Sequence, residues 1–393
     1  MDRVHGLHSM LRHALILLFV MAISQSRADF MYPDFESTIG IAFYGDAVTT
    51  SCDDSTRAKY SAKHGTADIS REEIPPTSEE NTNAAVFQST VTDEESVSAR
   101  VAKDTAIIKH RDEYKDSPYD SCRIRLRLTP SEPSKRGAAW HARPLAVFKG
   151  FETEFKFQIT GLSRSCTLVK DRAFSTRHHE SCVVHGGDGF AFVLQGTPQR
   201  TYIVGGAGQE QGYGGIKNSI AVEFDTWYNP EDGDLFNDHI SVQASRLGTP
   251  NSPGGTSRLS FQKSTPLADG KIHTVKIKYF PFLRYDFVQY FRGVEHLTEF
   301  MRDNEEARRI GTFVVYVDDM DTPLLAFPIN LSFALDLREG TAWAGFTAST
   351  GRVWEKHDIL SWYMCEDYKA CGFNLQSTFD YHREHILDGK IVP

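Results

Sequence analysis

Alternating hydrophobic and charged positions are the dominant pattern along the chain. Apolar residues alternate with charged or polar ones from Cys122 to Leu128, from Phe151 to Ile159 and from Val275 to Tyr279. A period of two with one apolar face is typical of a half-buried antiparallel strand. Phe313 to Val317 and Thr341 to Ala348 indicate more fully buried strands. Many strands with Gly- and Pro-rich connections and few helical patterns predict an all-β sandwich or barrel.

Three stretches depart from this pattern. Residues 54–118 are rich in Glu, Asp, Lys, Ser and Thr and show little periodicity, which predicts an acidic and partly disordered insertion. Residues 284–309 carry apolar side chains three, four or seven positions apart, which predicts an amphipathic helix lying on the sheet rather than a partner surface. Residues 367–393 form a C-terminal tail with no clear fold of its own.

The first 28 residues read as a signal peptide. Arg3 and Arg12 precede an apolar run from Ala14 to Ile23, and Ser26-Arg27-Ala28 offers small residues for cleavage. The run is too short to cross a bilayer comfortably, and no other stretch reaches transmembrane length. We therefore expect a protein without a membrane span, secreted or retained in the lumen of the secretory pathway.

The number of cysteines is consistent with a secreted or lumenal protein. The chain has 6 cysteines, and an even number behind a signal peptide suggests disulfides. Six cysteines allow fifteen pairings, so sequence alone does not fix the connectivity. Short loops need little closure entropy, which favours Cys166–Cys182 and Cys365–Cys371. Cys52–Cys122 then follows by elimination and would bracket the acidic insertion.

The overall charge limits the kinds of partner that the protein is expected to bind. The chain has 393 residues and a formal net charge of −9, without a block of Lys or Arg. Phosphate backbones demand a concentrated positive surface, so nucleic acid is excluded as the expected partner.

The segment from Ser219 to Ile240 carries the candidate chemistry. If residues 220–226 form a strand, Glu223 and Asp225 point to the same face, opposite to the apolar residues between them. Two such carboxylates repel one another unless a cation lies between them. A loop rich in Asn, Asp and Gly follows, and then His239. Oxygen ligands suit Ca²⁺, and carboxylates with one imidazole suit Mn²⁺ or Zn²⁺, so the segment suggests two adjacent metals; an acidic surface hairpin is the alternative.

This segment resembles the metal loop of the legume lectins and their L-type relatives. Their pattern is V-E-[FL]-D-T-aromatic-x-N, then Asp, then His five residues later. The residues that keep it here are Glu223, Asp225, Thr226, Trp227, Asn229, Asp234 and His239.

Further motifs extend the resemblance over residues 36–364, apart from the insertions. They are Gly45-Asp46-Ala47, Arg127-Leu128-Thr129, Gly150 to Ile159, Gly187-Asp188-Gly189-Phe190-Ala191-Phe192, Gly345 to Gly351 and Glu355 with His357 to Trp362. The resemblance implies an L-type lectin-like domain over residues 29–366. Its expected fold is the concanavalin A-like antiparallel β-sandwich, or jelly roll, here with a helical insertion. The insertions indicate a divergent member from a lineage other than the plant seed lectins.

The resemblance also implies a role for each site residue. The expected ligands of Mn²⁺ or another transition metal are Glu223, Asp225, Asp234 and His239. The expected ligands of Ca²⁺ are Asp225, Asn229, Asp234 and the backbone carbonyl of Trp227. The expected carbohydrate contacts are Asp188, Asn229, the ring of Trp227 and a backbone N–H of Gly206 or Gly208. A cis peptide between Gly187 and Asp188 is implied as well.

A calcium- and transition-metal-dependent lectin that binds glycans or glycoproteins is therefore the expected function. Physical chemistry favours these residue types, since a carboxylate accepts strong hydrogen bonds from hydroxyls and an aromatic ring covers a sugar's C–H face. A glycosidase on the same sandwich is a weaker alternative. Its E-x-D-x-x-E strand would need a third carboxylate where Tyr228 stands. A lectin-like protein-interaction module without sugar binding is a further alternative, which the complete set of site residues disfavours.

Overall fold

Two antiparallel sheets form the body of the protein in the computed structural model, which describes residues 30–51, 124–170, 178–245, 248–301, 310–337, 340–368 and 371. The eight-stranded sheet consists of β1 (Phe30–Tyr32), β3 (Val48–Thr50), β4 (Arg125–Thr129), β6 (Phe151–Thr160), β13 (Ile272–Phe280), β14 (Gly311–Val317), β15 (Leu325–Ile329) and β17 (Lys356–Glu366). The seven-stranded sheet consists of β2 (Ile41–Gly45), β5 (Arg136–His141), β9 (Gly189–Gln195), β10 (Ser219–Asp225), β11 (His239–Ala244), β12 (Arg258–Lys263) and β16 (Trp343–Ser349).

The order of strands places the candidate residues at the centre of one sheet. The seven-stranded sheet runs β12-β11-β10-β9-β16-β5-β2, and the eight-stranded sheet runs β15-β14-β13-β6-β17-β4-β3, with β1 also paired to β17. All these neighbours are antiparallel. The all-β antiparallel sandwich predicted from the period-two pattern is confirmed.

Aromatic side chains fill the space between the sheets. Phe155 of β6 meets the ring of Phe346 of β16 edge-on at 4.9 Å, and Phe157 lies 4.8 Å from the ring of Phe190. Both pairs join the eight-stranded sheet to the seven-stranded one, and all four rings are buried. Removing their area from water is the main stabilising contribution of this layer.

The predicted charged face of β4 is buried rather than exposed. Arg125 and Arg127 are only 4% and 5% exposed. Arg127 donates two parallel hydrogen bonds of 2.8 and 2.9 Å to the carboxylate of Asp358 on β17, and Arg125 lies 3.6 Å from the same carboxylate. Alternation alone could not show this, because the acidic partner lies more than two hundred residues away in sequence.

We expect Asp358→Ala to destabilise the protein by about 3–5 kcal/mol, because it removes the carboxylate from two buried guanidiniums. Burial opposes the ionisation of Asp358, but the charges and hydrogen bonds of Arg127 and Arg125 outweigh it and lower its pKa. The stability that this group contributes is therefore present above about pH 4 and lost as the pH falls through the depressed pKa. Urea unfolding across this pH range measures both effects.

The control for this experiment is a surface ion pair. Glu132 and Lys135 lie 3.0 Å apart with side chains 45% and 29% exposed, so Glu132→Ala should cost less than about 1 kcal/mol. Equal losses for the two variants, or an unchanged acid limb in Asp358→Ala, would contradict the assignment.

The segment predicted as one amphipathic helix forms two 3-10 helices instead, Tyr285–Tyr290 and Glu295–Met301, and residues 302–309 lie outside the described ranges. Between them the backbone bonds to sheet edges: the Arg292 N–H donates to the Ala326 carbonyl at 2.9 Å, and the Val294 N–H to the Leu259 carbonyl at 3.1 Å. Those bonds replace helical ones, so the helix is interrupted. Leu297 and Phe300 are buried in the core, as the predicted apolar stripe required.

The remaining elements are short. A two-stranded hairpin, β7 (Ser163–Lys170) and β8 (His178–His185), projects between β6 and β9. Further 3-10 helices span Val147–Lys149, Gly208–Glu210, Pro230–Asp232 and Gly255–Ser257, and one α-helical turn, α1, spans Leu331–Ala334. Among the described residues no helix is long and apolar enough to cross a membrane.

Two of the three expected disulfides are confirmed. Cys166–Cys182 joins β7 to β8 at directly paired positions, and Cys365–Cys371 ties the end of β17 to the chain beyond it. The expected Cys52–Cys122 pair lies outside the described residues, as do the predicted signal peptide (1–28), the predicted acidic insertion (54–118) and the tail beyond Cys371.

Candidate functional site

Strand β10 separates the core from the site. Val222 and Phe224 point between the sheets into the core, whereas Glu223 and Asp225 lie on the opposite face of the same strand. Asp225 pairs with His239 of β11 on one side and with Gly189 of β9 on the other. The register thus brings together residues that are far apart in sequence.

The face that carries the carboxylates is covered. Glu223 and Asp225 are only 1% and 3% exposed, because the glycine-rich segment 205–215 folds over them. Tyr213 of this segment donates its hydroxyl to Glu223 Oε1 at 2.8 Å. Glu223 Oε2 accepts from Ser241 at 2.6 Å and from Gln243 at 3.1 Å. Glu223 is therefore a buried, firmly held carboxylate.

Asp225 is the most crowded acid of the cluster. Its Oδ1 accepts the Trp227 N–H at 2.8 Å, and its Oδ2 accepts Gln211 Nε2 at 2.7 Å. Burial raises the pKa of Asp225 well above its usual range, and the neighbouring charges of Glu223 and Asp234 raise it further. Such a group favours either a proton or a metal cation beside it.

The loop after β10 is closed by its own polar groups. The Asn229 N–H donates to Asp234 Oδ2 at 2.9 Å across the 3-10 turn Pro230–Asp232. Gly233 ends that turn with a φ of 80°, a left-handed conformation that favours glycine. The buried Oδ1 of Asn229 has no hydrogen-bond partner among the described residues, although its Nδ2 lies 3.3 Å from Gln209 Oε1.

His239 presents a free ring nitrogen to the acids. Its Nδ1 faces the Phe236 carbonyl at 3.2 Å and can donate there, which leaves Nε2 as the acceptor of a neutral ring. Nε2 is fully buried, lies 3.5 Å from Asp234 Oδ1 and has no hydrogen bond among the described residues. Ligand atoms of Glu223, Asp225 and His239 lie within 4.8 Å of one another.

Arg258 of β12 is a cation that the sequence did not reveal at this place. Its guanidinium donates to Asp234 Oδ1 at 2.9 Å and to the Gly233 carbonyl at 3.0 Å, and lies over the ring of Phe261. It therefore holds the loop from the side of the sheet edge.

Asp188 lies beside this loop at the start of β9. The peptide bond between Gly187 and Asp188 is cis, as the resemblance implied. The Asp188 carbonyl accepts the Thr226 N–H at 3.2 Å, and its carboxylate Oδ2 is buried without a partner among the described residues. Burial raises the pKa of Asp188 to about 7, and the charge of Glu355 adds to the effect.

A buried network lies behind the loop. Glu355 accepts hydrogen bonds from the Thr226 hydroxyl and from His357, whose other ring nitrogen meets Thr129 at 2.6 Å. All four side chains are 9% exposed or less. The network fixes Thr226 and with it the start of the loop.

The structure distinguishes the two candidate glycines. The Gly206 N–H is committed to the Gly214 carbonyl at 2.9 Å. The Gly208 N–H has no backbone acceptor among the described residues, and a Cβ at Gly208 would meet nothing within 4 Å. The Gly208 carbonyl accepts the Ser349 hydroxyl at 2.7 Å. Ser349 in turn bonds to Asp188 through its own carbonyl, so one residue connects Gly208 to Asp188.

The ring of Trp227 is half-buried. It lies edge-to-face with His185 of β8, with ring centroids 5.6 Å apart. His178, His179 and His185 belong to β8. The cluster of Cys166, Glu180 and Cys182 is not a metal candidate, because its two cysteines form a disulfide.

Sequence reasoning found the acids but missed Tyr213, Gln211 and Arg258. The first two lie in a glycine-rich segment whose path over β10 no local pattern predicts. Arg258 lies 24 residues after Asp234 in sequence, on β12, yet its guanidinium contacts the Asp234 carboxylate.

The fold and the cluster have the features expected of a lectin-type sandwich: two antiparallel sheets, with buried acids, an imidazole and a closed loop at the end of the inner strand β10. The family comparison gives the same result, since residues 116–281 match the model of the legume lectin domain. That part of the chain is similar to the legume lectin domain, and the resemblance inferred from the sequence is confirmed.

Individual relatives are distant. A probable L-type lectin-domain containing receptor kinase S.7 from Arabidopsis thaliana is 25% identical over 256 residues, covering 62% of this chain. The matched region spans only 29% of the length of that kinase.

Among solved structures, a lectin from Bauhinia forficata in complex with GalNAc is similar, with 17% identity, a TM-score of 0.44 and coverage of 86% of this chain and 98% of that one. The exoplasmic/lumenal domain of VIP36, bound to Ca²⁺ and Man3GlcNAc, has 18% identity and a TM-score of 0.38, with coverage of 62% and 80%.

Proposed function

We propose that this protein is a calcium- and transition-metal-dependent lectin that binds glycans or glycoproteins. The observation that carries the proposal is a set of buried polar atoms around one loop that have no hydrogen-bond partner among the described residues: Asp188 Oδ2, Asn229 Oδ1 and His239 Nε2. Buried polar atoms without partners are costly, so a cluster of them indicates groups that await a ligand.

The transition metal would be held by Glu223, Asp225, Asp234 and His239. The His239 ring supports this assignment. Its Nδ1 contacts a backbone carbonyl, which leaves Nε2 available as a ligand. Metal-bound histidines commonly donate their other ring nitrogen to such a group. Carboxylate oxygens of Glu223 and Asp225 lie within 4.8 Å of a nitrogen of the His239 ring. Mixed carboxylate and imidazole ligation suits Mn²⁺ or Zn²⁺.

Calcium would be held by Asp225, Asn229, Asp234 and the Trp227 carbonyl. Calcium prefers carboxylate, amide and carbonyl oxygens, and the free Oδ1 of Asn229 is such an oxygen. The cation would also relieve the repulsion that raises the pKa of Asp225.

The carbohydrate would contact Asp188, Asn229, Trp227 and a glycine N–H. The free carboxylate oxygen of Asp188 can accept a hydroxyl, and Asn229 would be oriented by the metal that it binds. Gly208 fits the glycine role better than Gly206, because its N–H is not used by a backbone acceptor. Trp227 would stack on the sugar with the part of its ring not covered by His185.

Binding without catalysis is the proposed activity. Retaining glycosidases need two carboxyls about 5–5.5 Å apart across the scissile bond. The position of the third glucanase carboxylate is taken by Tyr228, which follows the end of β10 and is 44% exposed. A lectin that works in the secretory lumen or outside the cell agrees with the disulfides and with the N-terminal segment read as a signal peptide.

A glycan array probed with and without Ca²⁺ and Mn²⁺ tests this function. We expect binding to a restricted set of glycans that disappears when both ions are removed. A protein that is folded and metal-loaded but binds no glycan would contradict the proposal in favour of a protein-interaction module.

A further inference from the structure

The side chain of Gln211 links the glycine-rich segment 205–215 to the acidic cluster. Gln211 is fully buried, and its Nε2 donates to Asp225 Oδ2 at 2.7 Å. An ionised carboxylate only accepts hydrogen bonds, and the amide presents its nitrogen to Asp225. The other amide atom, Oε1, is buried without a partner among the described residues.

The backbone of Gln211 is unusual for its residue type. Its φ is 45° and its ψ is 29°, a left-handed conformation that only Gly, Asn and Asp adopt routinely. Neighbouring positions with positive φ, Gly208 and Gly212, are glycines. A long side chain at such a position persists where its contacts compensate the strain. The contact with Asp225 is the one that the structure provides.

A continuous series of contacts runs from Gln211 to the candidate sugar site. The Gln211 N–H donates to the Gly208 carbonyl at 3.0 Å, and the Ser349 hydroxyl donates to the same carbonyl at 2.7 Å. The Ser349 carbonyl in turn accepts the Asp188 N–H at 3.1 Å. Asp225 and Asp188, one in each candidate site, are thus connected through Gln211.

The Gln211 amide packs against Gly189 of β9. A Cβ at Gly189 would lie 3.2 Å from the amide carbon of Gln211 and 2.3 Å from the Phe224 carbonyl. Gly189 stands directly after Asp188 and opposite Asp225 in the sheet register. The Phe224 carbonyl already excludes a side chain at Gly189, and the Gln211 amide lies against this glycine next to both acids.

We propose that Gln211 is a positioning residue that couples cation binding at Asp225 to the shape of the Gly208 turn. The proposal rests on the proposed function, because it assigns Asp225 to the metal site and Gly208 to the sugar site. With the cation bound, Gln211 orients the Asp225 carboxylate through its hydrogen bond to Oδ2, as groups that hydrogen-bond to metal ligands do. Ordering Asp225 then orders the turn that presents Gly208.

Two substitutions separate the backbone from the amide contact. Gln211→Asn keeps an amide and a residue type that tolerates positive φ, but it is one methylene too short to reach Asp225. Gln211→Glu keeps the length but offers a carboxylate in place of the donor. Gln199→Asn is the matched control, since Gln199 is exposed on a loop outside the site.

Calcium binding to the metal-free protein is measured by titration calorimetry. Replacing a residue that hydrogen-bonds to a metal ligand typically lowers metal affinity by about 10–100-fold. We therefore expect Gln211→Asn to bind Ca²⁺ about tenfold more weakly than the wild type. Gln211→Glu should melt at a lower temperature without metal, because like charges face each other, and should show a larger rise on adding Ca²⁺. Gln199→Asn should match the wild type in both respects.

Amide hydrogen exchange distinguishes positioning from a merely structural role. In the wild type, Ca²⁺ should slow exchange both in the metal loop 226–238 and in the segment 205–215. In Gln211→Asn at saturating Ca²⁺, the metal loop should still be protected while the additional protection of 205–215 is lost. If that segment gains full protection, or Ca²⁺ affinity is unchanged, the proposal is overturned. A wild type that binds no Ca²⁺ at all overturns the proposed function itself.

Discussion

Asp188→Ala is expected to abolish glycan binding while the fold and the metal content remain nearly intact. Asp188 contributes a buried carboxylate oxygen that no described residue satisfies. Two sugar hydroxyls would donate to this carboxylate, and charge-assisted hydrogen bonds are about twice as strong as neutral ones. Losing both bonds removes the main polar anchor of the proposed sugar.

The fold should tolerate this change because the backbone of Asp188 makes the structural contacts. Its N–H and carbonyl bond to Ser349 and Thr226, and an alanine retains both bonds. The substitution also removes a carboxylate that burial and Glu355 disfavour, with a pKa raised to about 7. The melting temperature of Asp188→Ala should therefore equal or exceed that of the wild type.

Asp188→Asn provides the sharper comparison. The amide has the same shape, yet it offers one acceptor oxygen where two hydroxyl donors need a carboxylate. We expect it to fail or bind poorly on the array and in calorimetry, with Ca²⁺ affinity close to that of the wild type. Wild-type glycan affinity in Asp188→Ala would place the sugar site elsewhere and end the legume-type interpretation.

Local periodicity predicted the strands well, for a physical reason. The side chains of a strand alternate between faces, so β6, β13 and the acidic strand β10 were recognisable from one segment each. The spacing from Glu223 to His239 placed the candidate acids on one face and at one loop. The structure brings Glu223, Asp225 and His239 together as that spacing predicted.

The errors arose where contacts between distant segments decide the structure. Residues 285–301 have a helical stripe, but their backbone bonds to Ala326 and Leu259 and breaks the helix in two. The alternating pattern predicts a solvated face for Arg125 and Arg127, but in the structure both contact the buried Asp358. No period in the sequence encodes either contact.

The candidate site was only partly foreseeable for the same reason. Its carboxylates and imidazole follow a pattern along one segment, whereas the groups that hold them come from elsewhere. Gln211 and Tyr213 reach the acids from a glycine-rich segment, and Arg258 reaches Asp234 from the edge strand β12. The choice between Gly206 and Gly208 likewise needed the backbone hydrogen bonds of that segment.

Removing the divalent cations is expected to abolish glycan binding and to lower the melting temperature. A cation that binds only the folded loop stabilises it by RT ln(1 + [L]/Kd), about 2.7 kcal/mol at one hundred times Kd. Without cations, the carboxylates of Asp225 and Asp234 repel each other in a buried site. The cation also favours the ionised form of Asp188, so its removal should weaken the sugar anchor directly.

Asp225→Ala and Asp234→Ala should each mimic chelation, but they should differ in the metal-free protein. Asp225→Ala removes a charge from a cluster of like charges. Asp234→Ala instead takes away the carboxylate that accepts from Arg258 and from the Asn229 N–H. We therefore expect only Asp234→Ala to melt clearly below the metal-free wild type, since it opens the loop as well.

Calorimetry with Ca²⁺ and Mn²⁺, melting curves with and without EDTA, and array binding after dialysis measure these effects together. Acidification should act like EDTA, because metal ligands must be deprotonated and the raised pKa of Asp225 lets protons compete early. Asp358→Ala serves as the control variant, because it should lower stability while leaving the calcium-induced rise in melting temperature unchanged. Glycan affinity that persists in excess EDTA after full dialysis would refute the role of the metals. The loop would then have to be held by Arg258 and its own hydrogen bonds alone.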